Sequence, residues 1–113
     1  MADAGMMLTW DRVVPGRDIQ AVELWEEMGL YLKRLHAEGR VNAHEFVMLG
    51  AHGGNLNGFL LIRGDGDSLA RVRASTEFQH MIVRANKSLL SFAVLRAHFG
   101  EDVERLMRLY ATA

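Results

Sequence analysis

The chain has 113 residues, 13 Lys and Arg against 14 Asp and Glu for a formal charge of −1, and no cysteine. That length suits one domain with a modest core, and the apolar and charged shares of 50% and 24% argue against disorder. The lack of a basic excess disfavours a domain that rides on nucleic acid. The lack of thiols removes disulfides, zinc–thiolate sites, iron–sulfur clusters and a cysteine nucleophile.

The opening residues 1–6 are mostly small and are expected to form a loose leader. They show no basic stretch followed by a long apolar run, so no signal peptide is expected. No window approaches eighteen apolar residues, so no membrane span is expected and the cytoplasm is the default location. Residues 8–14, LTWDRVV, have strand-forming side chains and stop at Pro15-Gly16, a strong turn signal. Asp18 offers a helix N-cap. Behind it Ala21, Leu24, Trp25, Met28, Tyr31, Leu32 and Leu35 recur at helical spacing, with Glu23, Glu26, Glu27, Lys33 and Arg34 on the solvated side. Gly39 closes that helix.

Residues 41–65, VNAHEFVMLGAHGGNLNGFLLIRGD, read as two strands folded back around Gly53-Gly54-Asn55. Phe46 to Leu49 and Phe59 to Ile62 are unbroken apolar runs. Strand side chains alternate between faces, so such runs predict a hairpin buried on both sides. After the turn at residues 64–68, Leu69 and Val72 begin a short helix to about Ala74. Ser75-Thr76-Glu77 caps a longer one carrying Phe78, Met81, Ile82, Ala85 and Leu89. Residues 91–99 form the last strand, again apolar on both parities. Gly100 ends it, and a terminal helix follows with Val103, Leu106, Met107 and Tyr110 as its inner stripe.

The order β-α-β-β-α-β plus a helix is the split βαβ arrangement of an α+β ferredoxin-like domain, with an antiparallel four-stranded sheet and both main helices on one face. One domain over residues 1–113 is expected. The second sheet face would be bare. Six exposed side chains at about 1.5–3 kcal/mol each would cost on the order of 10 kcal/mol, comparable to a domain's whole stability. A homodimer joined face to face through its sheets removes that cost.

This order, this length, the two-sided apolar strands and the helix break at Ser75-Thr76-Glu77-Phe78 resemble the dimeric α/β-barrel superfamily across nearly the whole chain. The resemblance is one of architecture. It implies two ferredoxin-like protomers whose sheets pair into a barrel, with a ligand pocket between each sheet and its helices. Its members include cofactor-independent monooxygenases, haem-degrading enzymes, dehydratases, isomerases and proteins with no known activity. For this chain it implies a cofactor-independent monooxygenase or isomerase acting on a small aromatic or polyketide-like molecule. The alternative is a non-catalytic module that binds a small apolar ligand or only dimerises.

The residues themselves say less about chemistry. Candidate polarising groups are His52, Asn57, Arg63, Arg96 and His98, and a candidate hydrophobic wall comprises Trp10, Trp25 and Phe59. His52, Asn55 and Asn57 sit in a glycine-rich string that a tight hairpin turn would also require. A three-residue turn sets Glu45 directly opposite Arg63 as an ion pair, whereas a two- or four-residue turn sends them to opposite faces. Arg96 and His98 share a face of the last strand and could line a cavity. Trp25 and Tyr31 at helical spacing also suit a plain core. His80, Arg84 and Lys87 make a basic stripe that reads as a solvated face. His44 and His52 would stand roughly 26 Å apart at about 3.3 Å per residue, too far to share a metal ion. No metal and no cofactor are expected.

Overall fold

In the computed structural model, which describes residues 3–113, eight elements follow one another. They are β1 (Asp3–Trp10), α1 (Asp18–Ala37), β2 (Ala43–Met48), β3 (Gly58–Asp65), α2 (Gly66–Ala74), α3 (Thr76–Ser88), β4 (Ala93–Ala97) and α4 (Glu101–Thr112). The four strands form one sheet in the order β2-β3-β1-β4, with every neighbouring pair antiparallel. This is the ferredoxin-like order, and the sheet is open. No helix among the described residues is long and apolar enough to cross a membrane.

Register assigns each side chain its face. Leu8 pairs with Leu60 and Val94, and Met6 with Ile62 and Arg96, so the even-numbered residues of the strands share one face. Helices α1, α2 and α3 lie over it. Their apolar stripes, including Leu24, Met28, Leu32 and Leu35 of α1, Val72 of α2, and Phe78 and Met81 of α3, close the core on Met6, Leu8, Leu60 and Ile62. Odd-numbered Met7, Thr9, Phe59, Leu61 and Leu95 take the other face by the same pairing.

Local chemistry sets the helix ends. Arg17 occupies the N-cap position of α1 with no side-chain cap, so the cap expected from Asp18 is absent and Asp18 is instead the first helical residue. At the other end Gly39 N–H donates to His36 O at 3.0 Å and Arg40 N–H to Leu35 O at 2.9 Å, satisfying the last carbonyls. Asp65 caps α2 by accepting from Ser68 N–H at 3.2 Å. Ser75 joins α2 to α3: its Oγ donates to Val72 O at 2.7 Å and accepts from Phe78 N–H at 3.3 Å. The short-then-long helix pair thus appears where the sequence places it.

Several expectations need correction, among them the last strand, which is confined to Ala93–Ala97 instead of spanning residues 91–99. Within the expected leader, residues 3–6 are the first half of β1, where Met6 is buried in the core; Met1 and Ala2 lie outside the described residues. The strand ends at Trp10, earlier than the turn signal implied. Beyond it only Val13 makes an isolated bridge, to Leu89.

The hairpin turn is wide. Its last backbone bond is Leu49 N–H to Asn57 O at 3.0 Å, which leaves residues 50–56 as a loop. Glu45 consequently stands opposite Leu61, and Ala43 opposite Arg63. Glu45 and Arg63 do share a face, but diagonally, and Arg63 instead pairs with Asp3 at 3.1 Å. The edge strand β2 is also less covered than its apolar run implied, since Met48 is 54% exposed and Phe46 and the following Leu49 are each 37% exposed.

The last correction concerns α4. None of its residues is buried, and Met107 and Tyr110, assigned to an inner stripe, are 64% and 88% exposed. Among the described residues no other helix or strand packs against it.

Candidate active site

On the helix-covered face the two ends of the sheet differ. At the end where β1 starts and β4 finishes there is a cleft of about 830 Å³, open on one side. Its floor is Ala4, Gly5 and Met6 of β1 with Arg96 and Ala97 of β4. One wall is the stripe Gly66, Leu69, Ala70, Arg73 and Ala74 of α2, with Gln79 and Ile82 of α3. His98, Asp102 and Arg105 close the side towards α4.

The space has a simple origin. Helix α2 presents glycine and alanine where a core helix would present leucine, and the break at Ser75 turns the chain before a longer helix could cover this corner. Small side chains therefore leave a void that the apolar walls do not fill.

The polar groups in the cleft are ordered by one carboxylate. Asp102 accepts from the His98 ring Nδ1 and, at 2.7 Å, from Arg105 Nε. The His98 bond and then the Arg105 bond hold the Asp102 carboxyl below its ordinary value. With Nδ1–H directed to Asp102, Nε2 is the ring nitrogen left to exchange a proton with a ligand. A carboxylate that fixes a histidine tautomer in this way is the orienting element of many general bases. Arg96 and Arg73 add two further guanidiniums from different walls.

Of the residues singled out from sequence, the cleft brings together Arg96 and His98. The others are elsewhere. His52 accepts from Gly54 N–H through Nδ1 at 2.9 Å and donates from Nε2 to Leu56 O at 2.6 Å, so its ring bridges the wide loop. Asn57 donates to Asp11 at 2.8 Å at the loop's base. Both lie at the opposite end of the sheet from the cleft. Arg63 is on the uncovered face, its guanidinium stacked 3.6 Å from the centre of the Phe99 ring. That ring lies over Gly5 so closely that a Cβ there would come within 2.4 Å of it.

The expected hydrophobic wall is divided. Trp10 and Trp25 stack at 5.7 Å and meet Phe46, filling the far end of the helix-covered face. Phe59 pairs with Thr9 and so belongs to the opposite face. Only about 10 Å³ remains free among Trp10, Trp25, Phe46 and Phe92. Among the described residues no three His, Asp or Glu side chains are placed to hold a metal ion.

Sequence reasoning missed Arg73, Asp102 and Arg105. Arg73 had a readable signal, since Gly66, Ala70 and Arg73 fall on one helical face beside Leu69 and Ala74. Asp102 had none, because its link to His98 crosses the break at Gly100, where no helical periodicity applies.

No family model matches the chain, and no curated protein matches it. Solved structures do. A dimeric ferredoxin-like protein of unknown function from Thermobifida fusca superposes with a TM-score of 0.64 at 12% identity, covering 88% of this chain and 93% of that one. A DABB-family protein with a ferredoxin-like fold from Mesorhizobium loti gives 0.64 at 10% identity, covering 88% and 100%. SnoaB, a cofactor-independent oxygenase from Streptomyces nogalater, gives 0.60 at 11% identity, covering 88% and 97%. Such identities carry a fold and not an activity. The chain has the protomer architecture of the dimeric ferredoxin-like proteins, βαββαβ with an added terminal helix.

Proposed function

We propose that the protein is a homodimeric, cofactor-independent enzyme that moves a proton on a small organic molecule bound in the cleft, as an isomerase or a monooxygenase. The observation that carries this reading is the convergence of Arg96 with the Asp102-oriented His98 in one cleft between sheet and helices. His98 Nε2 takes a proton from a carbon next to a carbonyl. The bonding pair moves to the carbonyl oxygen, and the Arg96 guanidinium offsets the charge that develops there. Returning the proton to another carbon gives isomerisation. With dioxygen as co-reactant the substrate's own CH2 is instead oxidised to C=O: one oxygen atom stays on that carbon, and the other leaves as water with the two hydrogens the carbon gives up. The likeness to SnoaB supports the second outcome at the level of fold alone.

The test needs no known substrate. The protein is incubated with an enolisable aromatic ketone such as 2-indanone in deuterated buffer, with exchange followed by NMR and oxygen uptake by electrode. Exchange above the buffer rate is expected, falling by about 10²–10⁴ in His98→Gln, the usual size of a general-base contribution. Ketone turnover that survives His98→Gln unchanged would overturn the assignment. The open mouth of the cleft favours one other reading, a reversible binding module. That reading predicts binding with no exchange in either form.

The dimer belongs to the same proposal. Met7, Val47, Phe59, Leu61 and Leu95 lie on a sheet face over which no helix of the described residues packs. The apolar stripe of α4 is a second uncovered surface. A second copy meeting the sheet face removes both Phe59 rings and both Leu61 side chains from water, and the dimeric state of the Thermobifida fusca protein supports it. Sedimentation is expected to show a dimer that Leu61→Glu converts to monomer. A wild-type protein that stays folded and monomeric at high concentration sinks this part of the proposal.

A further inference from the structure

The cleft walls carry three guanidiniums, Arg73, Arg96 and Arg105, against one carboxylate, Asp102. Asp102 is engaged by His98 and Arg105, which leaves its charge largely answered. The ion pairs of the described residues take up Arg12, Arg34, Arg40, Arg63, Arg84 and Arg105, and neither Arg73 nor Arg96 is among them. Two cations thus face one hollow from separate elements, α2 and β4, with no protein anion assigned to them. In water each is solvated at little cost. A ligand filling the cleft would strip that water away, and it would then have to bring the missing negative charge.

We infer that the cleft takes a small organic carboxylate, its head bridged between Arg73 and Arg96 and its apolar body laid against Ala70, Ala74 and Ile82. This rests on the reading of the cleft as the protein's functional site and names the ligand class of that site. A planar two-oxygen head matches the fork of a guanidinium, which can hold it through two parallel hydrogen bonds. A single negative charge also leaves the cleft net positive, the condition for stabilising an oxyanion formed beside His98. A cleft of about 830 Å³ has room for a body of one or two rings. The purely apolar ligand suggested by the sequence would leave both guanidiniums unanswered.

Binding of 2-naphthoate to the full-length protein is measured by calorimetry, with isotope-labelled protein giving the location by NMR. Naphthalene-2-carboxamide, which has the same shape without the charge, and inorganic phosphate are the comparison probes. Naphthoate is expected to bind at least tenfold more tightly than the amide and to shift the resonances of Arg73, Arg96 and His98. Arg73→Gln and Arg96→Gln are each expected to weaken it about tenfold, whereas the exposed Lys87→Gln leaves it unchanged. Equal affinity for acid and amide, or no loss in either arginine variant, would overturn the inference. So would displacement of naphthoate by phosphate at equal concentration, because the site would then take any oxyanion. The outcome is separable from that of the catalytic proposal. Tight naphthoate binding without ketone exchange keeps the ligand class and removes the enzyme. His98-dependent exchange with no preference for the acid does the reverse.

Discussion

The two ends of the helix-covered sheet face share β1 and α3 and reach opposite outcomes. At the β1–β3 end Trp10, Trp25 and Phe46 interlock, and about 10 Å³ is left between them. At the β1–β4 end alanines and glycines face each other, leaving about 830 Å³ rimmed by arginines. Small side chains on α2 and the helix break at Ser75 together make the difference. One end stabilises the protein, while the other remains available for a ligand.

That contrast can be broken most directly at Trp10, which is 4% exposed at the filled end. Trp10→Ala should cost about 3–5 kcal/mol in denaturant unfolding, the usual loss for a large buried aromatic. It should leave the cleft's ligand preference intact in the folded fraction. A loss below about 1 kcal/mol would mean that the filled end is not the stabilising one.

A smaller effect is expected from the opposite change at the same place. Gly58 faces Trp10 across the β1–β3 ladder, and a Cβ there would lie 2.5 Å from the indole ring. Gly58→Ala should therefore cost about 1–3 kcal/mol through overpacking. The matching experiment at the other end is Ala74→Leu, which adds volume to a void. Its effect on thermal unfolding should stay within about 0.5 kcal/mol, while naphthoate binding falls because the space is taken. A large destabilisation by Ala74→Leu would show that the cleft is not free space in solution.

Between the ends, Ser75 holds the α2–α3 break that leaves the cleft uncovered. Ser75→Ala removes the bond to Phe78 N–H and should cost about 1 kcal/mol, the typical value of a helix cap.

The smallest effects are those of pH. The His44 imidazole, on the edge strand, is held below its ordinary value first by burial and then by His36 and Lys33. Its neutral form is therefore favoured in the folded state. The unfolded chain binds the proton more readily, so stability is full above the unfolded value of about 6.5 and is lost as pH falls through the folded value. Asp102 in the cleft is also held low, and its contribution is present above about 3.9 and lost only as pH falls through its folded value. Urea midpoints measured from pH 8 downward should show a first, small decline below about pH 6.5 that His44→Gln abolishes. A decline unchanged in that variant would assign the titration elsewhere.

Strand and helix identity could be read from this chain because both follow local periodicity. The apolar positions of α1 and the Ser75 break between α2 and α3 are set within a few residues, and they appear where the pattern predicts. The unalternated runs at Phe46 and Phe59 likewise predicted strands, but the burial expected on both faces is not met: Phe46 and Met48 are exposed, and the register places Phe59 on the uncovered face. Local pattern did not reach the leader. Residues 3–6 look too small to form an element, but pairing of all four with β3, and of Gly5 and Met6 with β4 as well, draws them into the sheet.

The candidate site was only half visible. Arg96 and His98 could be named because the expected strand put residues of like parity on one face, although β4 ends at Ala97 and His98 follows it. Asp102, which orients His98, lies across a glycine break where no period operates, and Arg73 reaches the cleft only because α2 folds over the β1–β4 end. His52 drew attention through the unusual string around it, yet its ring spans a loop whose width no turn rule predicted. The sequence by itself determined which segments are strands, which are helices and which side chains are apolar. The tertiary structure decided the hairpin register, the emptiness of one corner and the meeting of Arg73, Arg96, His98 and Asp102. Periodicity is local, whereas a cleft is made by residues distant in sequence whose small volumes happen to coincide in space.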